Sequence, residues 1–165
     1  MHGIQGVKRA QRAHGVQRVQ AQRYEQLDPL ARGKIDTYLD ILLDWNSKMN
    51  LTAIKDRSSA ISRHVNDSLA ILPAMDRAVA DARVGCESGS AVRVVDVGSG
   101  AGLPGLILAT LRPEWRVTLL DSLNKRCTFN TAAAEAMGLA NVDILWRYAF
   151  LSADVAADSL FWLTV

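Results

Sequence analysis

The chain is short of cysteine, of long apolar runs and of net charge, and each shortage excludes something. Its two cysteines, Cys86 and Cys127, stand far apart in 165 residues. Two are too few for a metal cluster and give no disulfide framework, which suits a reducing compartment. No apolar run approaches the ~18 residues that a membrane-spanning helix needs, and no secretory apolar segment opens the chain. A net charge of +2 gives no global nucleic-acid signal. Acids are missing altogether from residues 1–24, which carry Lys8, Arg9, Arg12, Arg18 and Arg23. That segment is either a disordered basic arm or an organelle-targeting leader, although it also lacks Ser and Thr. The first reading goes with a cytoplasmic protein, the second with a plastid or mitochondrial one. The whole chain is 49% hydrophobic, enough for one domain with a real core. No internal repeat is visible.

Hydrophobic spacing divides the chain after the arm into a helical cap (25–84), an α/β unit (85–147) and a tail (148–165). Asp28-Pro29 suits a helix start, since Asp can cap and Pro fits the first turn. Ile35, Tyr38, Leu39, Leu42, Leu43 and Trp45 then recur at helical spacing. A second helix is expected from about Ser59 to Leu72, stopping near Pro73, with a short helix or loop from Met75 to Val84. Small and polar residues from Gly85 to Ser90 read as a junction. Beyond it, Val92–Val97, Trp115–Leu120 and Val142–Trp146 read as strands. Helices from about Pro104 to Leu111 and from a Ser122 cap to about Met137 separate them, the second closed by Gly138. This β-α-β-α-β order predicts an α/β fold with a doubly wound parallel sheet.

The richest segment is Val94-Val95-Asp96-Val97-Gly98-Ser99-Gly100-Ala101-Gly102-Leu103-Pro104-Gly105. A β-rich run carries an acid and meets a glycine turn and a helix start. Glycine lets a ligand approach the backbone, and free N–H groups at a helix start can hold a polar or anionic group. Gly100, Gly102 and Gly105 also satisfy the G-x-G-x-x-G dinucleotide pattern, with Asp121 where a ribose-binding acid would stand. A nicotinamide or flavin site therefore competes, and a purely structural turn is the third reading. The acid-x-Gly-x-Gly form resembles the first motif of the S-adenosylmethionine-dependent methyltransferases.

Three further strings narrow the resemblance: Trp45-Asn46-Ser47-Lys48-Met49-Asn50-Leu51-Thr52, Arg63-His64-Val65-Asn66-Asp67-Ser68 and Leu119-Leu120-Asp121-Ser122-Leu123-Asn124-Lys125-Arg126. With the glycine segment they resemble the RsmG (GidB) family over about residues 25–147. The resemblance implies a Rossmann-like methyltransferase fold with an N-terminal helical cap. It implies methylation of a guanine N7 in small-subunit ribosomal RNA, with S-adenosyl-L-methionine as cofactor, the RNA or a ribosomal particle as partner, and no metal or membrane. Cofactor contacts would come from Asp96, Gly98, Ser99, Gly100, Gly102, Leu103, Asp121 and Ser122, with Asp121 taking the ribose hydroxyls. Guanine N7 offers a lone pair and no proton, so no general base is needed and none is assigned. Cys127 sits mid-helix and is not assigned as a nucleophile.

His64, Asp67 and Ser68 share a helix face by spacing. The resemblance makes them, with Arg63 and Asn50, an RNA-facing or pocket wall. Their alternative is an internal hydrogen-bonded face, and for Asn50 and Thr52 a turn. Lys125 and Arg126 either meet RNA phosphates or are solvated helix charges. After Arg147 the chain departs from the family pattern, as in a truncated or frame-altered product. An incomplete sheet is then expected, with the first strand left as a long apolar edge and activity impaired or absent. The other readings are a non-catalytic chain binding RNA or a protein partner, and a nicotinamide-dependent enzyme.

Overall fold

A computed structural model describes residues 23–82 and 92–147, together with the backbone of residues 161–164. Nearly all of the basic arm, the junction at residues 85–90 and most of the tail lie outside the described residues.

Helix α1 (Pro29–Met49) opens where the Asp28-Pro29 signal places it. Asp28 is extended, and its Oδ1 accepts from the Leu30 and Ala31 N–H groups at 3.0 and 2.9 Å. Two of the N–H groups that a helix start leaves over are thereby satisfied. Ile35, Tyr38, Leu39 and Leu42 line one stripe and are completely buried. Asn50 ends the helix at φ 50°.

The second helical run is longer than the sequence suggests. α2 (Arg57–Ser59) starts under an Asp56 cap, a π-helical stretch follows at Ala60–Val65, and α3 (Asn66–Ala82) continues from it. The stop expected near Pro73 does not occur: Pro73 lies inside α3. Leu69 and Leu72 before it, and Met75 and Val79 after it, are all buried in the core. Burial on both sides outweighs the roughly 3 kcal/mol that a helix-interior proline costs.

β1 (Val92–Val97), α4 (Gly105–Leu111), β2 (Trp115–Asp121), α5 (Asn124–Ala136) and β3 (Val142–Trp146) follow the expected order. The start of α5 needs correcting. Its N-cap is Leu123, without a side-chain cap, so the helix starts one residue later than a Ser122 cap would set; Asp121 Oδ1 accepts the Leu123 N–H at 2.8 Å in the turn before it. Gly138, at φ 62°, closes the helix as expected, while Leu139 N–H returns to the Ala134 carbonyl.

The sheet is parallel throughout, in the order β3-β2-β1-β4, with β4 (Phe161–Thr164) in register with Val94–Val97. The expectation that β1 is left as an edge is therefore overturned. An apolar strand with unpaired amides is a template for another strand, and here the tail's own backbone takes that place. The chain steps outward from β1 to β2 to β3, and β4 lies on the other side of β1. β1 is thus beside the point where strand order reverses, and open α/β sheets bind ligands in the crevice at that point.

α4 and α5 pack on β2, α1 lies across both helices, and α3 packs on α4. A single cluster of buried side chains, including Tyr38, Leu42, Leu106, Leu119 and Phe129, joins the helical segment to the sheet. Phe129 meets Tyr38 and Trp45 edge-on, with ring centres 6.3 and 5.7 Å apart. The architecture is a Rossmann-like α/β sheet under an N-terminal helical layer.

Candidate functional site

Strand periodicity decides where the first acid points. Asp96 lies on the same face of β1 as Val92 and Val94, under the helices, and is fully buried. Its Oδ2 accepts from the Gly105 N–H, the first of α4, at 3.0 Å, while Oδ1 has no protein partner. Burial pushes the Asp96 carboxyl up to about 7; the Gly105 hydrogen bond pulls the other way and the nearby Asp121 charge adds to the rise.

Asp121 ends β2 and is 2% exposed. Its Oδ2 accepts from Gly100 N–H at 2.9 Å and lies 3.4 Å from Arg126 Nη1, while Oδ1 holds Leu123 N–H. A carboxylate offers about four lone-pair sites, so capacity remains on both oxygens for a diol.

Between the acids the backbone turns sharply. Gly98, Gly100 and Gly102 have φ of 76°, 56° and 78°, values that side-chain-bearing residues avoid. Leu120 O receives Gly98 N–H and Ser99 N–H, and Ser99 O receives Gly102 N–H and Leu103 N–H. At Gly105 a Cβ would lie 2.2 Å from Leu119 Cδ2 and 2.8 Å from Asp96 Oδ2. Glycine at that position lets α4 rest directly on β2 and on the acid. The Leu103–Pro104 peptide is cis.

Two side chains that the sequence did not single out for the site hold this turn. Asn130, fully buried on α5, donates to Ser99 Oγ at 3.2 Å and to Gly100 O at 3.4 Å. Tyr38, legible only as core, donates its buried hydroxyl to Ala101 O at 2.8 Å. A signal for Asn130 existed: it is the polar member of a buried stripe with Cys127, Ala133 and Ala134.

The expected wall residues are tied mainly to one another and to the loop after α1. His64 Nε2 is 2.8 Å from Thr52 Oγ1, and burial lowers its pKa against a smaller opposing effect of Asp67. Ser68 Oγ donates to His64 O at 2.7 Å. Asn46 braces the same loop through Ile54 O and Thr52 N–H. Asn50 is the left-handed residue that ends α1, and Arg63 and Asp67 are exposed. No hydrogen bond or ion pair among the described residues joins this group to the glycine turn. Lys125 is exposed on α5, whereas Arg126 turns back to Asp121.

The arrangement discriminates between the ligand classes that the sequence left open. In a dinucleotide fold the pyrophosphate rests on the first N–H groups of the helix after β1. Here the first N–H of α4 is given to Asp96, so a phosphate at that place would face a carboxyl group. A ligand with a positive centre and a ribose fits the two acids instead.

The chain matches the family described as rRNA small subunit methyltransferase G over residues 31–149. It belongs to that family. A ribosomal RNA small subunit methyltransferase G of Burkholderia ambifaria is 41% identical over 115 residues, 69% of this chain and 45% of the relative. The proteins of that name from Moorella thermoacetica and Nitrosomonas europaea are 39% and 40% identical over 73% and 65% of this chain. The chain spans about half the length of the curated relatives it matches. Among solved structures, a mutant of MtNAS aligns with a TM-score of 0.34 and 13% identity over 71% of this chain and 42% of that one.

Proposed function

We propose that this chain carries the cofactor half of an S-adenosylmethionine-dependent methyltransferase that modifies guanine N7 in small-subunit ribosomal RNA. The observation that carries the reading is the pair of buried acids, Asp96 and Asp121, at the ends of neighbouring parallel strands around one glycine turn. Asp121 is suited to the ribose hydroxyls, and Asp96 to the cationic methionine end of the ligand. Asp96 Oδ1, buried without a partner, is the kind of orphaned acceptor that a bound ammonium or ordered water would satisfy. When bound, S-adenosylmethionine supplies an electrophilic methyl group on a sulfonium. The residues around the turn need supply no proton transfer, because guanine N7 presents a free lone pair. Their work is to fix the cofactor and keep water from it.

Calorimetric titration of the full chain with S-adenosylmethionine and S-adenosylhomocysteine tests the cofactor assignment. Binding of both is expected, abolished by Asp121→Ala and weakened by Asp121→Asn, which retains one acceptor oxygen. Tritiated methyl transfer to unmethylated small-subunit RNA, with 7-methylguanosine as product, tests the activity. Binding of a nicotinamide dinucleotide with indifference to S-adenosylhomocysteine would overturn the assignment.

A further inference from the structure

Among the described residues three large apolar side chains are notably exposed, and two of them share one rim: Trp146 at 62% and Leu123 at 43%. Trp146 ends β3, the outermost strand of the sheet, in register with Asp121. Its indole N–H donates to Ser122 O at 3.0 Å, which ties the ring to the turn that carries Leu123. The ring is therefore placed while much of its surface stays in water. Trp146 also closes one end of a shallow groove of about 440 Å³ that runs along α5 past Thr128, Thr131 and Ile144. Glu135 lies at the other end of that helix face. Exposed cations stand close by in the chain: Lys125 in the first turn of α5, one residue after the groove-lining Asn124, and Arg147 one residue after Trp146. Neither makes an ion pair among the described residues.

We propose that the Trp146–Leu123 rim is a stacking platform for an unpaired base of single-stranded RNA, with Lys125 and Arg147 on the adjoining phosphates. An aromatic face beside cations is what a single strand recognises, since every base has a π-face and every linkage a charge. Charge complementarity selects RNA over the cofactor. S-adenosylmethionine has no phosphate, and its one carboxylate belongs to the methionine end that the methyltransferase reading sets at Asp96, so it leaves no anion for Lys125 and Arg147. The rim also lies on the solvent side of the sheet edge, whereas the Asp121 carboxylate in register with it is buried. The proposal rests on the methyltransferase reading for the identity of the RNA, but not for the binding itself.

The test is fluorescence anisotropy of the full chain with a labelled mixed-sequence single-stranded oligoribonucleotide, run beside calorimetry with S-adenosylmethionine. Trp146→Leu keeps apolar bulk without a ring and is expected to weaken RNA binding roughly tenfold, the scale of one base–aromatic stack. Trp146→Phe is expected to restore most of it. Lys125→Ala and Arg147→Ala should each flatten the salt dependence of binding by about one counterion. Cofactor affinity should stay unchanged in all four variants. Unchanged RNA affinity in Trp146→Leu overturns the proposal, as does an absence of oligonucleotide binding in the parent chain. A loss of cofactor affinity with RNA binding intact also overturns it, and would assign the rim to the cofactor. Trp146-dependent RNA binding by a chain that ignores S-adenosylmethionine would uphold the platform while the methyltransferase reading fails.

Discussion

Asp96 is a carboxyl group whose surroundings oppose its charge. Its folded pKa of about 7 lies above the ordinary carboxylate value near 3.9, so the native state binds a proton that the unfolded chain releases. The sign follows: its contribution to stability is complete below about pH 4 and is lost as pH rises through about 7. A cationic ligand acts in the opposite direction because it favours the carboxylate. S-adenosylmethionine affinity should therefore rise between about pH 6 and pH 8 and level off, with proton release on binding. Calorimetry in two buffers of different ionisation enthalpy measures that release, and Asp96→Asn should remove it. Asn130 supports the same turn as a neutral donor. Asn130→Asp would put a second charge into a fully buried place and remove the donors to Ser99 Oγ and Gly100 O. A loss of about 3 kcal/mol or more is expected near pH 8, with partial recovery near pH 5, read from urea unfolding.

At the scale of the element, the glycine turn and α4 are set by close approach more than by flexibility. Gly105→Ala would force a Cβ to 2.2 Å from Leu119 Cδ2. About 2–4 kcal/mol should be lost, visible in a thermal melt. Gly138→Ala is the control: its φ is 62°, but open space surrounds it, so only about 1 kcal/mol should go. The same scale shows what the sequence makes legible. Val92–Val97 and Trp115–Asp121 announce themselves because buried parallel strands are continuous apolar runs, and Asp28 because capping is local chemistry. Pro73 misleads because its cost is local while the burial that overrides it comes from the rest of the fold. Ser122 misleads because the turn after β2, where Asp121 holds the Leu123 N–H, delays the helix start by one residue. Asn130 shows locally only as the polar member of a buried stripe; its role stays hidden because its partners lie 30 and 31 residues away.

For the whole molecule, the sheet depends on its last strand. β4 pairs with Val94–Val97, the part of β1 that leads into the glycine turn and includes Asp96. A chain ending at Asp158 would lack this partner and present the amides of β1 to other chains. Concentration-dependent self-association in sedimentation velocity, stronger than that of the full chain run beside it, is the expected outcome. The site itself is only partly legible at this scale. Its two acids follow from strand ends, but the tie between the helical layer and the turn depends on how α1 crosses α4 and α5.

That tie has a consequence in time. Tyr38 and the Ala101 carbonyl that it holds are 63 residues apart. During synthesis α1 leaves the ribosome well before the turn it braces, with Ile35, Leu39 and Leu42 still facing water. Between those moments the nascent chain displays a greasy helix with nothing to cover it, a stage at which chaperones bind. The glycine turn gains its brace from Tyr38 only once that early helix has docked. A helix made early is thus among the last pieces to be put to use.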